Sequence, residues 1–184
     1  MKYVNILCVI SLALLASSVS LAQEDADNAT MVSIPTENLP EGFDFLAEKN
    51  ASTAGVNITE EIIDFYGDED IGPANATVGI YTWAPIGESY DAKITLLSLD
   101  DEEQAMAAIS NYKSLPEFEN PPYSGIDRFS TVTINGHEAT EIRDAAGDND
   151  LRFLYLWNNG NVVVLVEGNS DRDDSMNLAS ATGL

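Results

Sequence analysis

Cysteine is almost absent from this sequence, and its scarcity excludes one common way of stabilising an exported domain. Cys8 is the only cysteine among 184 residues, so no disulfide bond can form within the chain. Many small secreted domains depend on such bonds. Hydrophobic residues make up 45% of the sequence, and a chain of this length can bury a sizeable core. The fold must therefore be stabilised by apolar packing.

Basic residues are scarce as well. Eight Lys and Arg residues stand against 31 Asp and Glu residues, which gives a formal net charge of −23. Nucleic-acid backbones and anionic lipid surfaces repel such a chain, so we expect no nucleic-acid partner. Two interpretations of the acidity stay open. It keeps the surface hydrated and soluble, as in a saline medium, or it binds cations or a basic partner.

Histidine occurs once, which limits the catalytic chemistry that the chain can supply. His137–Glu141 (HEATE) contains the first half of a zinc-protease motif, but the second histidine is missing. Paired carboxylates can hydrolyse glycosides without histidine, yet 31 acidic residues bring some pair together by chance. We therefore predict no catalytic residues and a protein that is not an enzyme. A carboxylate-dependent hydrolase is the less favoured alternative.

Only one long apolar run is present, and it lies at the N-terminus. A basic start at Lys2 is followed by the apolar segment Val4–Leu15 and then by small residues up to Ala22. This layout predicts a secretory signal peptide over residues 1–22. The apolar segment is short for a membrane span, and a retained anchor is the alternative. We expect an extracellular or cell-surface protein that meets the membrane only during export or through this segment.

Sequons for N-glycosylation are concentrated in the first half of the chain. Each has the form Asn-x-Ser/Thr without proline in the middle, and an exported chain can carry a glycan at each if it is exposed. The four candidate glycosylation sites are Asn28, Asn50, Asn57 and Asn75.

The predicted domain organisation is simple. Residues 23–38 are polar and acidic and show no periodicity, so we predict a flexible acidic leader there, followed by a single domain over residues 39–184. Early in that domain, Phe43–Leu46 is a short strand or the edge of one, and Asn57 caps a short helix.

Stronger patterns begin at residue 78. Val78–Ala84 and Ala92–Leu99 are rich in β-branched and aromatic residues, which predicts two strands. Residues from about Asp101 to Leu115 have helical apolar spacing, and Pro116 ends the helix.

Two hairpins and a helix complete the predicted domain. Asn135-Gly136 and Asn159-Gly160 each separate two apolar runs, and Asn-Gly is the strongest short-range hairpin signal. A last helix begins near Asp171. The predicted order is strand, strand, helix, four strands, helix. We therefore predict an α+β fold with a single antiparallel sheet of about six strands and helices packed on it.

The last part of the chain carries a resemblance. Ile134–Ala139 (INGHEA) precedes a strand that ends at Trp157, and an apolar strand and a closing helix follow. In this order of elements, residues 129–184 resemble the C-terminal half of PsbP-like domains and of similar small secreted α+β domains of unknown function. The resemblance implies an accessory or assembly role and no specific binding residues. The sequence is acidic, carries sequons and has no cysteine after Cys8, and in this it is also similar to archaeal surface proteins.

Two acidic loops are candidate cation sites. Ca²⁺ takes roughly six to eight oxygen ligands, so it is the one cofactor that the sequence leaves open. Neither loop has the EF-hand spacing, and the same residue types are ordinary turn formers. The candidate ligands are Asp68, Glu69 and Asp70 in the first loop, and Asp144, Asp148 and Asp150 in the second.

Four aromatic residues are candidate ligand-binding residues. Tyr81 and Trp83 alternate on one predicted strand, and Tyr155 and Trp157 alternate on another, so each pair shares one face. In an exposed groove these rings would stack on sugars or grip a peptide. More often such residues line the core between sheet and helix, and this is the interpretation that we favour.

These patterns together predict a secreted or cell-surface, non-enzymatic binding or assembly domain. Its expected partner is a cell-surface protein or a glycan. The alternative is an extracellular carbohydrate- or Ca²⁺-binding module.

Overall fold

A computed structural model describes residues 33–83, 91–147 and 149–184, which form seven strands and three α-helices. The strands are β1 (Phe43–Asn50), β2 (Asn75–Trp83), β3 (Asp91–Ser98), β4 (Phe129–Ile134), β5 (His137–Gly147), β6 (Asp150–Asn159) and β7 (Val162–Glu167). The helices are α1 (Ile58–Glu61), α2 (Glu102–Lys113) and α3 (Arg172–Ser180). All the strands pair antiparallel in one sheet, in the order β1-β2-β3-β7-β6-β5-β4. The predicted α+β class is confirmed.

The predicted strand count and element order are wrong at the N-terminal end. The structure places β1 and α1 ahead of the predicted strand-strand-helix start, so the sheet has seven strands instead of about six. β1 continues to Asn50, four residues beyond the predicted Leu46. A bulge between Phe45 and Ala47 shifts its register, and most of its later residues are exposed or half-buried. An edge strand with a bulge therefore leaves only a weak apolar pattern in the sequence.

β7 lies at the centre of the sheet because it can be covered on both faces. Its sequence, VVVLVE, is apolar at five successive positions, and all five are buried. An amphipathic strand would expose every second residue to water. The apolar run in the sequence therefore corresponds to the central strand, between β3 and β6.

The sheet has a hydrophobic core on each face. On one face α3 and residue Ile34 pack on the sheet, and the buried members there include Tyr81, Ile94, Tyr155, Trp157, Val164 and Leu178. On the other face α1 and α2 pack on the sheet, and the buried members include Phe65, Leu97, Ala108, Tyr112, Leu154 and Leu165. None of the helices in residues 33–83, 91–147 and 149–184 has the length and hydropathy to cross a membrane.

The folded unit begins before the predicted boundary at residue 39. Ile34, inside the predicted leader 23–38, is 4% exposed and belongs to the core on the α3 face. The Tyr81 hydroxyl also donates to the Pro35 carbonyl oxygen at 2.8 Å. The end of the predicted leader is therefore part of the domain.

Both predicted hairpins form, and one turn is shifted by a residue. Asn135 and Gly136 have φ values of 50° and 90°, as a type I′ turn requires. In the second hairpin, Asn159 still belongs to β6 and pairs with Val162, so the turn residues are Gly160 and Asn161. Gly160 has φ 59°, and glycine takes this backbone conformation without steric cost.

Candidate functional site

The predicted aromatic site is part of the core. Tyr81 and Tyr155 are 0% exposed and Trp157 is 1% exposed. A ring that stacks on a ligand must reach the surface, so these three residues cannot form the predicted groove. Trp83 ends β2, but its side chain lies outside what the structure describes. The core interpretation of these aromatic residues is therefore the correct one for Tyr81, Tyr155 and Trp157.

Burial also fixes the protonation state of these tyrosines. Desolvation raises the pKa of Tyr81 and of Tyr155 well above the ordinary value of 10.0, and the nearby Glu48 and Glu141 carboxylates respectively add to the rise. Desolvation by burial also raises the pKa of Tyr112, which lies on the other face of the sheet. Neutral hydroxyl groups of this kind donate hydrogen bonds, and Tyr155 donates to the Arg172 carbonyl oxygen at 3.1 Å.

The second predicted cation loop is engaged in structural contacts. The Asp144 carboxylate accepts a hydrogen bond from Arg128 Nη1 at 2.6 Å and another from the Ala145 backbone N–H. The Asp150 carbonyl oxygen accepts one from the Tyr123 hydroxyl. Asp148 lies outside the described residues. Within the described ranges, no three His, Cys, Asp or Glu side chains come close enough to hold a metal ion.

The first acidic loop, residues 66–70, is held against α2 by a buried asparagine. Asn111 is 6% exposed, and its amide nitrogen donates to the carbonyl oxygens of Phe65 and Glu69 at 3.0 and 2.8 Å. Its amide oxygen accepts from the Glu69 N–H at 3.0 Å. One side chain therefore satisfies two backbone groups of the loop and the carbonyl oxygen of Phe65 just before it, and these groups would otherwise be costly to bury.

Two further contacts bring the loop close to α2. The Ser110 hydroxyl donates to the Glu69 carboxylate at 2.6 Å. Gly67 lies so near the helix that a Cβ atom there would be 2.7 Å from Asn111 Oδ1. These contacts hold the backbone of the loop in a defined position against α2.

Two adjoining grooves run along the seam between this loop and α2. One has a volume of about 310 Å³ and is lined by Tyr66, Asp68, Glu69, Ser110 and Ser114, among others. The Tyr66 side chain is 41% exposed. The neighbouring groove, of about 340 Å³, shares Glu69 and is lined mainly by acidic residues. The predicted residues Asp68 and Glu69 thus line the same groove as the exposed Tyr66 ring, whereas Asp70 lines the neighbouring groove. We call the first groove, which is lined by Tyr66, Asp68, Glu69, Ser110 and Ser114 among others, the Tyr66 groove.

Tyr66 and Asn111 were not predicted from the sequence. The available signal for Tyr66 is an aromatic residue directly before a Gly- and Asp-rich loop, where burial is not expected. Asn111 gives no signal, because its partners Phe65 and Glu69 are more than forty positions away in sequence.

A buried ion-pair cluster on β5 was also not predicted. Glu141 is 0% exposed, and its two carboxylate oxygens each bind one guanidinium group: Arg143 Nη2 at 2.8 Å and Arg172 Nε at 2.6 Å. Ser130 Oγ and the Tyr155 hydroxyl also lie within 3.1 and 3.4 Å of it. Arg172 is in the first turn of α3, so the cluster connects that helix to the sheet.

Three of the predicted glycosylation sites are in the described part of the chain. Asn57 and Asn75 are exposed and Asn50 is half-buried. The Asn57 side chain is also the N-cap of α1, where it accepts from the Thr59 N–H. Asn28 and the predicted signal peptide lie outside the described residues. Comparison of the chain with protein-family models, curated proteins and solved structures finds no match.

Proposed function

We propose that this protein is a secreted or cell-surface, non-enzymatic binding domain whose ligand-binding surface is the Tyr66 groove. The proposal is carried by the exposed ring of Tyr66, the first residue of the loop that is already held against α2. A ligand that binds a preorganised surface loses less free energy to ordering than one that must order the loop itself.

The chemistry of the groove suits a neutral glycan. The Tyr66 ring offers an apolar face for a sugar ring, and the Asp68 carboxylate and the Ser114 hydroxyl offer hydrogen-bonding groups beside it. Its volume of about 310 Å³ is at the lower end of ordinary ligand sites, which span roughly 300–1,000 Å³. The carboxylates disfavour anionic ligands, and the net charge of −23 adds to this effect.

The proposed location and role agree with the other features of the chain. The N-terminal segment is of the secretory type, and three sequons lie at exposed or half-buried asparagines. The resemblance of residues 129–184 to PsbP-like domains favours an accessory role over catalysis. We expect the partner to be a cell-surface glycan, free or attached to a protein.

The test is a glycan array of neutral and acidic oligosaccharides probed with the purified protein, followed by calorimetry on the strongest neutral ligand. Tyr66→Ala should weaken binding by roughly tenfold or more, because it removes the stacking surface. The matched control is Ile63→Ala, which removes another exposed apolar side chain, 57% exposed and three residues earlier. It should bind like the unaltered protein.

Two results would contradict the proposal. One is an array that retains no neutral glycan, and the other is equal binding by the Tyr66→Ala and Ile63→Ala variants.

A separate experiment measures the melting temperature of the same protein with CaCl₂ and with a chelator, because a ligand that binds only the native state raises the melting temperature. A calcium-dependent rise would favour the Ca²⁺-binding alternative over the glycan.

A further inference from the structure

Among the strands that the structure describes, β4 is the last of the sheet, and no strand pairs with its outer edge. The Arg143 N–H donates to the Arg128 carbonyl oxygen, and the Asn135-Gly136 turn pairs Ile134 with His137. In an antiparallel pair the hydrogen-bonded residues alternate, so the even-numbered residues of β4 bond to β5. The backbone N–H and C=O groups of the odd-numbered residues therefore point away from β5; these residues are Phe129, Thr131 and Thr133. No group in residues 33–83, 91–147 or 149–184 bonds to them.

The other edge of the sheet is protected against strand pairing. β1 has a bulge between Phe45 and Ala47, and it carries charged side chains that include Glu48 and Lys49. Asn50, a predicted glycosylation site, is also in this strand. Bulges and charges on an edge strand are the usual means by which proteins prevent edge-to-edge association.

β4 has none of these protective features. Its sequence, FSTVTI, contains no charge and no proline, and it pairs with β5 without a register shift. Thr131 and Thr133 are exposed. A neutral, regular edge rich in β-branched residues is a template for another strand. The whole chain has a net charge of −23, but β4 itself is uncharged. Another acidic molecule therefore meets less repulsion at this strand.

We propose that β4 pairs with β4 of a second copy, so that two sheets become one continuous antiparallel sheet across a two-fold axis. The axis passes beside Thr131, which lies opposite Thr131 of the second copy. Phe129 then lies opposite Thr133 of the second copy. Each such pair exchanges two backbone hydrogen bonds, so about six form. A symmetric pairing of this kind uses the same surface on both copies.

The charges around β4 are compatible with a second copy of the chain as its partner. In the register described, Asp127 comes opposite Asn135 of the second copy, and β4 itself carries no carboxylate. The net charges still repel at longer range, but a Debye length of about 8 Å at physiological salt screens most of that repulsion. The dimer should therefore be weak at low salt and stronger at high salt.

The test compares two single variants that add the same charge on the same face of the sheet. Thr131 and Thr140 are cross-strand partners in β4 and β5, so Thr131→Lys places the new charge on the edge and Thr140→Lys places it one strand inward. In the proposed dimer, Thr131→Lys puts two like charges directly opposite each other. Sedimentation equilibrium is run on the purified protein in roughly 0.15 and 1 M NaCl.

We expect the unaltered protein to dimerise, more strongly in the higher salt. Thr131→Lys should weaken dimerisation by at least about tenfold, and Thr140→Lys by less than about twofold. Circular dichroism checks that both variants fold. Hydrogen exchange gives a second measurement on the unaltered protein: the amides of Phe129, Thr131 and Thr133 should gain protection as concentration rises, whereas that of Val132 should be protected throughout.

Three results would overturn the proposal: a monomer in both salt concentrations, equal weakening by the two variants, or outward amides that exchange equally fast at all concentrations. Because β4 and the Tyr66 groove involve different elements, loss of dimerisation in Thr131→Lys should leave glycan binding unchanged. Failure of one proposal therefore does not decide the other.

Discussion

A single carboxylate, that of Glu141, connects strand β5 to helix α3. It is fully buried and meets Arg143 of the same strand and Arg172 at the start of α3. Arginine is unfavourable at a helix N-terminus, where the partial charge of the helix is positive. The contact with Glu141 offsets that cost and positions α3 on the sheet. The cluster is therefore a structural feature, which explains why an acidic residue is tolerated in the interior.

We predict that Glu141→Gln lowers the free energy of unfolding by about 1–3 kcal/mol, because a charge-assisted pair is replaced by weaker neutral hydrogen bonds. The matched control is Glu138→Gln on the same strand, where the side chain is exposed and the change should stay within about 0.5 kcal/mol. Urea denaturation measures both. Equal stabilities for the two variants would show that the buried ion pairs contribute nothing net.

At the scale of elements, the β4–β5 hairpin shows how a local turn also makes a tertiary contact. Asn135 adopts the positive φ that the turn needs, and its amide nitrogen donates to the carbonyl oxygens of Ser180 and Leu184 at 3.0 and 3.1 Å. The same residue thus shapes the hairpin and holds the C-terminal end of the chain beside it.

Two substitutions at Asn135 should separate these roles. Asn135→Gly keeps the backbone conformation and loses the two contacts, so we expect a loss of about 1 kcal/mol. Asn135→Ala also forces an unfavourable left-handed conformation and should cost about 1–2 kcal/mol more. Chemical denaturation gives the ranking, and hydrogen exchange at residues 180–184 reports the lost contact. The prediction fails if Asn135→Ala is as stable as the unaltered protein.

At the scale of the whole molecule, three of the five tyrosines in the described part of the chain are buried, with Tyr81 and Tyr155 on one face of the sheet and Tyr112 on the other. Burial raises their pKa values above the ordinary 10.0. In the unfolded chain they ionise near pH 10, whereas in the folded protein they stay protonated. Their contribution to stability is therefore complete below pH 10 and is lost as the pH rises above it.

We predict a steep loss of stability above pH 10, of up to roughly 1.4 kcal/mol per pH unit for each buried tyrosine. Urea denaturation at a series of alkaline pH values measures the slope, and ultraviolet absorbance should show three tyrosines that ionise only when the chain unfolds. Tyr112→Phe removes one ionising group and should reduce the slope by about a third. A slope unchanged by this substitution would contradict the assignment.

Some of the fold was predictable because its signals are local or lie within one element. Asn135-Gly136 specifies a tight turn through its own backbone preferences, and the apolar run of β7 predicts a strand covered on both faces. The start of β1 was predicted at Phe43, but its full extent to Asn50 was not predictable, because an edge strand with a bulge and exposed side chains lacks a clear periodicity. Tyr81 and Tyr155 have the same alternation whether their face meets water or a helix, so their burial could not be predicted from spacing alone.

The sequence by itself determined the short-range structure and the overall charge: the first hairpin turn, the apolar central strand, the absence of disulfide bonds and a net charge of −23. Only the tertiary structure decided which polar groups meet. Asn111 reaches Glu69 across 42 positions and Arg172 reaches Glu141 across 31. Nothing in local sequence encodes such a pair, because each partner finds the other only when separate elements pack on the sheet. The Tyr66 groove and the free β4 edge arise from that packing.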